Sequence, residues 1–343
     1  MKKKLSIVIP THGQTFLDEV LTSIVSCYGF NNTIEVVIAE NPAKTTEVAN
    51  IVARYNHLNN IIHIESPLGA NKARNTGIRA SSGEIVGLID DDCILDPSWI
   101  NSMLSCHMIY PNIGIVGGCM KLTFRHTKPR WVDGVFWSML AGVDHGEGVI
   151  DYSYIKDRYA GIIVSGNLSF KRHIFDQTNG FDEGVGYVGK DQLMAGDEIT
   201  LIRECSELGN PNKIYAGTAV VFHQIPKERT ELSYFMKRAY GDGYNFIKTV
   251  CTDSINDDLT EEDIIVLHVL PRYHQYLSIP EIGTLRSQVA HEESIRIYIN
   301  NVIKCKMEYF RGIYDYFAEH KRPKHLDKKF DLFSNTSGVI FNV

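Results

Sequence analysis

Apolar and polar positions follow two alternating rhythms along the first two thirds of the chain. Leu5 to Pro10 is apolar except at Ser6, as a strand covered on both faces should be. After the turn Thr11-His12-Gly13, Phe16, Val20, Leu21, Ile24 and Val25 recur at helical spacing and stop near Gly29. Ile34 to Ala39 reads as a second strand, Thr45 to Tyr55 as a helix, Ile61 to Ile64 as a strand and Ala70 to Ala80 as a helix. A fourth apolar run, Ile85 to Ile89, is followed by a helix over Pro97 to Tyr110 and a strand over Ile113 to Val116. This β-α-β-α-β-α-β order with short connections predicts an α/β fold, a right-handed parallel sheet with helices on both faces. Ligands of such sheets bind beyond the carboxyl ends of the strands, where Thr11, Glu40 and Asp90 to Asp92 all fall.

The pattern then loosens. Gly117 to about Ala160 is irregular and rich in aromatics (Trp131, Trp137, Tyr152, Tyr154, Tyr159), either a binding lid or a flap that covers the core. Gly161 to Phe170 reads as a strand broken by Gly166, and a glycine there permits close approach of a ligand or another backbone. Phe181-Asp182-Glu183 ends a small helix, Gly196-Asp197-Glu198-Ile199 opens another, and Lys213 to His223 is a last strand. Beyond Pro226, Leu232 to Val250, Thr260 to Leu270 and Pro280 to Phe317 read as helices. Lys304, Lys306, Arg311, Lys321, Arg322, Lys324, Lys328 and Lys329 make this end basic, either a solvated face or a peripheral contact with a membrane surface.

Composition narrows the function classes. With 44% hydrophobic and 22% charged residues the chain has the make-up of an ordinary globular protein, and its 343 residues can hold one large core with a smaller appendage, or two domains. A formal charge of -6 argues against a general nucleic-acid binder. No apolar run approaches the roughly 18 residues a spanning helix needs. The run behind the first lysines ends at Pro10, too short for a signal peptide, so a cytoplasmic protein is expected, with peripheral contact at the inner membrane face as an option. The seven cysteines are scattered without Cys-x-x-Cys spacing, which points to reduced thiols rather than a disulfide framework or zinc site.

The candidate chemistry centres on Asp90, Asp91 and Asp92. Adjoining carboxylates at a strand end repel one another unless a cation sits among them, and Mg²⁺ or Mn²⁺ shared with substrate phosphates would relieve that. The plain alternative is a solvated acidic turn. Neither Gly-x-Gly-x-x-Gly nor Gly-x-x-x-x-Gly-Lys-Ser/Thr occurs near the first strand, which argues against a dinucleotide fold or a P-loop NTPase. A lone histidine ending a strand, such as His223, is more often structural, and acids such as Asp197 in a helix's first turn also serve as caps.

Read together, the motifs resemble a family. Ser-Ile-Val-Ile-Pro-Thr, then Gly-Ala-Asn-Lys-Ala-Arg-Asn-Thr-Gly-Ile-Arg-Ala-Ser-Ser-Gly-Glu-Ile-Val-Gly-Leu-Ile-Asp-Asp-Asp, then Ser-Gly-Asn-Leu-Ser-Phe-Lys-Arg, Asn-Gly-Phe-Asp-Glu, Gly-Asp-Glu-Ile-Thr-Leu-Ile-Arg and Val-Val-Phe-His resemble the inverting GT-A glycosyltransferases of family 2. The resemblance covers roughly residues 4 to 225. It implies a GT-A domain over 1–225, with a mostly parallel nucleotide-binding sheet flanked by helices. Residues 226–343 would be a helical carboxy-terminal extension serving the acceptor side, a membrane surface or an oligomer contact.

The implied activity is metal-dependent transfer of a sugar, with inversion, from a nucleotide-sugar donor, UDP-linked by default, to a carbohydrate or lipid-linked acceptor hydroxyl in polysaccharide, glycolipid or other glycoconjugate synthesis. By the same resemblance Pro10 and Thr11 line the nucleoside pocket, and Glu40 stands where family members usually carry Asp to contact base or ribose. Asn71 and Arg74 hold the nucleoside and diphosphate side, and Asp90, beside Asp91, holds the ribose. Asp92 holds Mn²⁺ or Mg²⁺, His223 approaches that metal, and Gly166 and Asn167 face the sugar. Where the family shows Glu-Asp this chain reads Asp197-Glu198, so Glu198 is assigned as base by position with Asp197 in reserve. Two alternatives are a sugar-nucleotide pyrophosphorylase, whose glycine- and arginine-rich loop Thr11-His12-Gly13-Gln14 does not supply, and a non-catalytic nucleotide-sugar-binding protein.

Overall fold

In the computed structural model of the chain, the apolar runs become strands buried along their whole length: β1 (Leu5–Thr11) and β2 (Ile34–Glu40) have no exposed position. The structure describes residues 2–13, 16–42, 46–153, 164–184, 196–207, 212–246 and 292–319. The remaining strands are β3 (Ile61–Glu65), β4 (Ile85–Ile89), β5 (Cys93–Leu95), β6 (Ile113–Phe124), β7 (Val149–Asp151), β8 (Asn167–Lys171) and β9 (Asn212–Ile225). The helices are α1 (Leu17–Val25), α2 (Glu47–Ala53), α3 (Ala70–Ala80), α4 (Trp99–Ile109), α5 (Val135–Met139), α6 (His173–Gln177), α7 (Asp197–Glu207), α8 (Leu232–Phe246) and α9 (Glu292–Glu319).

All strands join one sheet in the order β3-β2-β1-β4-β8-β6-β9-β5, with β7 also on β9. The β1–β4 half is parallel, as the short β-α-β connections require. The other half is mixed: β8 runs antiparallel between β4 and β6, and β5 and β7 run antiparallel to β9. A fully parallel sheet, the reading of the first half alone, is therefore corrected to a mixed one.

Successive strand residues point to opposite faces. Leu5, Ile7 and Ile9 meet α1, α2 and α4 through Leu21, Ile24, Val48 and Trp99, whereas Val8, Val86 and Leu88 meet Ile78, Ile174, Phe181 and Leu201 on the other side.

Three local readings change. Gly117-Gly118 does not end β6, which continues to Phe124. A Cβ on Gly118 would lie 2.2 Å from the Ala219 carbonyl oxygen and 2.3 Å from Asn167 Nδ2, so the glycine marks a close crossing inside the sheet. The strand expected from Gly161 begins only at Asn167, after a turn in which Asn167 N–H donates to the Val164 carbonyl at 3.0 Å; residues 161–163 lie outside the described ones. The small helix α6 stops at Gln177, and Gly180, at φ +75°, turns the chain before Phe181.

The aromatic stretch after β6 is core in part. Trp131 packs edge-on against Phe136 and Phe235, and Phe136 against Phe235 and Tyr298, with ring centroids 4.8–5.5 Å apart. This cluster draws Leu122 and Ile225 from the sheet and Phe235, Tyr298, Val302 and Tyr309 from α8 and α9. It thus takes side chains from both sides of residue 225. Tyr154, Tyr159, the helix expected over 260–270, the start of the one expected from 280 and the basic residues from Lys321 onward lie outside the described residues. No helix among the described residues is long and apolar enough to cross a membrane.

Candidate functional site

The carboxyl ends of β1, β2 and β3 are locked in register, Thr11 beside Glu40 and Glu40 beside Glu65. Asn41 N–H donates to the Thr11 carbonyl at 2.8 Å and Ser66 N–H to the Glu40 carbonyl at 2.7 Å, which fixes the rim of a crevice. On that rim the Glu40 side chain lies 2.7 Å from His63 Nε2 through Oε2. The extra methylene relative to aspartate is what lets it cross to the neighbouring strand's histidine. Pro10 is buried within β1, one residue short of the rim.

The three acids separate into different environments. Asp90 receives Arg74 Nη2 at 2.9 Å on Oδ1. Arg74 Nη1 also donates to Asn71 Oδ1 at 2.9 Å, and the Asn71 amide donates to the Asp182 carbonyl at 2.8 Å. Arg74 is 5% exposed and lies over the Phe181 ring. Asn71 and Arg74, expected on the nucleoside and diphosphate side, are thus turned to aiming Asp90 and gripping the Phe181–Asp182 segment. A Cβ at Gly166 would fall 2.8 Å from Asp90 Oδ2, so the close approach foreseen at that glycine is made by Asp90 itself.

Asp91 accepts the Thr11 hydroxyl at 2.7 Å. Burial, then the charges of Asp92 and Asp90, raise its pKa against the lowering effect of that hydroxyl. Asp92 goes the other way. Burial opposes its ionisation, but His223, in its protonated form, and Arg229 overcome that and hold the carboxyl well below the usual range. The pairing of β5 with β9 sets Cys93 opposite His223, and Gln224 N–H donates to the Asp92 carbonyl at 2.8 Å. His223 Nε2 therefore lies 3.4 Å from Asp92 Oδ1, and Arg229 Nη1 lies 3.1 Å from Asp92 Oδ2.

The histidine tautomer follows from its partners. The Leu140 carbonyl, 3.1 Å from Nδ1, can only accept, so Nδ1 carries the proton. Arg229 Nη1, 3.0 Å from Nε2, can only donate, so in the neutral ring Nε2 presents its lone pair. A neutral ring held through Nδ1–H by a backbone carbonyl, with Nε2 left to face a cation, is how a metal-binding histidine is oriented. A carboxylate oxygen and an imidazole nitrogen facing one positive charge fit a divalent ion of the Mn²⁺ type, with other positions left to substrate phosphates. Among the described residues no group of three or more His, Cys, Asp or Glu could hold a metal by itself.

Asn167 is elsewhere. Its amide donates to the Cys119 and Ala219 carbonyls at 2.8 and 2.9 Å and accepts Trp99 Nε1 at 2.8 Å, with no exposed surface. The expectation that it faces a sugar is corrected: it brackets β6, β8, β9 and α4.

With this geometry in place, comparison with known proteins identifies the domain. Residues 6–148 match the family described as Glycosyl transferase family 2. This amino-terminal part is a glycosyl transferase family 2 domain. A Haloferax volcanii glucosyl-dolichyl phosphate glucuronosyltransferase is 24% identical over 225 residues, 65% of this chain and 70% of that protein. The Escherichia coli chondroitin synthase is 29% identical over 119 residues, 33% of this chain and 17% of that one. Among solved structures, a Pyrobaculum calidifontis mannosyltransferase in complex with GDP-Man and Mn²⁺ superposes with a TM-score of 0.58 at 17% identity, covering 94% of this chain and 89% of that one. Staphylococcus aureus TarS residues 1–349, in complex with UDP-GlcNAc, gives 0.51 at 13% identity, with 92% of each chain covered. The architecture is the GT-A one, with helices following the sheet.

The two acids assigned to base catalysis lie beyond the matched residues and open α7, after Gly196 at φ +90°. Glu198 is half-buried in the first turn, and the Asp197 side chain lies outside the described residues. Leu201 and Cys205 anchor the helix in the core shared with Phe170 and Phe181. Sequence reading passed over His63 and Arg229. His63 sits inside an apolar strand, in register with Ile38, and gains meaning only from the Glu40 carboxylate that reaches it diagonally across the strands. Arg229 lies in the Pro-Lys-Glu-Arg-Thr turn after β9, where a basic residue in a break of texture was the one available signal.

Proposed function

We propose that this protein transfers a sugar from a nucleoside-diphosphate donor to an acceptor hydroxyl, with inversion at the anomeric carbon and with Mn²⁺ or Mg²⁺ bound at Asp92 and His223. The observation that carries this reading is the Asp92 carboxylate beside the lone pair of His223 at the crevice where β4 ends. When bound, the metal supplies positive charge against the diphosphate leaving group.

The chain's own residues do the rest. Glu40, steadied by His63, accepts an N–H of the base or a ribose hydroxyl. Thr11 and Pro10 wall the nucleoside, and Asp90, aimed by Arg74 and spared room by Gly166, accepts from the ribose. Asp91 completes that acidic edge while its own charge is suppressed. Glu198, or Asp197 in its place, takes the acceptor's proton as the oxygen attacks the sugar from the face opposite the diphosphate, which inverts the centre.

UDP remains the default donor. The neighbours bind different bases, GDP-Man in one and UDP-GlcNAc in the other, so both belong in any test. The name of the Haloferax relative favours a lipid-phosphate-linked carbohydrate acceptor in glycoconjugate synthesis. Exposed Lys304 and Arg311 on α9 agree with peripheral contact at a membrane carrying it. The test is a panel of UDP- and GDP-linked sugars with Mn²⁺, scored for release of the nucleoside diphosphate. At least one member is expected to be hydrolysed or transferred. Tight binding of a sugar nucleotide without turnover on any acceptor would favour the non-catalytic alternative.

A further inference from the structure

Arg229 has no place in the motifs that define the site, yet its guanidinium stands where the site needs positive charge. It comes from the 3₁₀ turn Lys227–Thr230 after β9, which is pinned by the Arg229 N–H on the Pro226 carbonyl at 3.1 Å and by the His126 ring on the Thr230 hydroxyl at 3.2 Å. Among the described residues its side chain contacts Asp92 Oδ2 and His223 Nε2, both through the same nitrogen, Nη1. Those are the oxygen- and nitrogen-bearing side chains assigned above to the divalent ion. Arg229 Nη1 and that ion cannot share them in this arrangement, since both are cations aimed at one lone pair and one carboxylate. The Arg229 side chain is also 30% exposed, unlike Arg74 at 5%, so it can swing where Arg74 is locked.

Charge accounting gives the direction of the swing. Without donor, Asp92 and Arg229 cancel. A divalent ion and the two negative charges of a nucleoside-diphosphate sugar add nothing net, provided Arg229 stays nearby. Bond cleavage then leaves one further negative charge on the departing diphosphate. A guanidinium matches phosphate oxygens with paired N–H donors, and Arg74 is already spent on Asp90 and Asn71. We propose that Arg229 is a built-in placeholder: it neutralises Asp92 and His223 before loading, yields them to the divalent ion, and then grips the donor's diphosphate. This rests on the metal-bridged reading of the site. It adds a residue that works against metal binding and for nucleotide binding, two effects of opposite sign.

The opposite signs are what the experiment reads, on the full chain, by calorimetric titration with Mn²⁺ alone and then with UDP or GDP at saturating Mn²⁺. Arg229→Gln is expected to bind Mn²⁺ alone about tenfold more tightly, and the nucleotide with Mn²⁺ about tenfold more weakly, the scale of one charge-assisted hydrogen bond. Arg229→Lys should fall between wild type and Arg229→Gln in both titrations, and it carries the test if Arg229→Gln does not fold. Unchanged or weaker Mn²⁺ binding in these variants, or unchanged nucleotide binding, overturns the placeholder. Asp92→Asn separates the two failures. If wild type and Asp92→Asn bind Mn²⁺ and nucleotide equally poorly, the metal-bridged reading falls and takes the placeholder with it. If Asp92→Asn alone loses binding while the Arg229 variants match wild type, only the placeholder falls.

Discussion

Glu40 and His63 show how one methylene redirects a residue. The longer side chain spans two parallel strands and ends 2.7 Å from the imidazole, leaving a fixed carboxylate at the rim of the crevice. Replacing Glu40 by Ala is expected to weaken UDP or GDP binding about tenfold, the loss of one charge-assisted hydrogen bond, as read by calorimetry. The base assignment is a second residue-scale question. Glu198→Gln should keep nucleotide affinity and lower transfer by about 10²–10⁴-fold. If Asp197→Asn does this and Glu198→Gln does not, the proton acceptor is Asp197.

His107 carries a pH signature apart from the chemistry. Its ring is buried, with Nε2 2.9 Å from the Ser169 hydroxyl. Burial, with a smaller push from Lys171, lowers its pKa from the ordinary 6.5 to about 4. Between those values the unfolded chain binds the proton that the folded chain refuses. Stability from this site is therefore complete above pH 6.5 and is lost as the pH falls toward 4, by about 3 kcal/mol at most. Urea denaturation across that window should show the slope in wild type and lose it in His107→Gln. An equal slope in both would show that other groups set it.

At the scale of elements, the first half of the sheet was legible because each strand is buried on both faces and so reads as an apolar run. The helices between strands showed the matching 3.6-residue rhythm. Glycine misled where it marked proximity instead of a break. The strand expected over Ile113 to Val116 runs on through Gly117 and Gly118, and Gly118 lets β6 pass Asn167 and Ala219. Gly243 and Gly312 went unread for the same reason. A Cβ on either would meet the carbonyl of Tyr309 or Tyr240 on the facing helix at about 2 Å, so these glycines set how closely α8 and α9 cross. Gly312→Val is expected to cost about 1–3 kcal/mol through forced separation of the helices. Thermal or urea unfolding checks this, and an unchanged midpoint would show that the crossing relaxes freely.

At the scale of the whole molecule, Asp92 is far along the chain from His223 and Arg229 and meets them because β5 folds back antiparallel onto β9. No local pattern announces that pairing. The acids themselves were legible as a strand end, and the family motifs placed His223 near them. What the sequence could not show was that Arg74 and Asn167 are consumed by structure, leaving Arg229 as the cation beside Asp92. The account makes the Asp92–His223 pair a two-ligand seat for a divalent ion that bridges to a diphosphate.

Anomalous diffraction at the manganese edge, from crystals of the full chain soaked with Mn²⁺ and UDP or GDP, tests that seat most directly. The account predicts a peak at coordination distance, about 2.1 Å, from an Asp92 oxygen and His223 Nε2, next to the diphosphate. Nucleotide bound in the crevice with no manganese at those two atoms would contradict it.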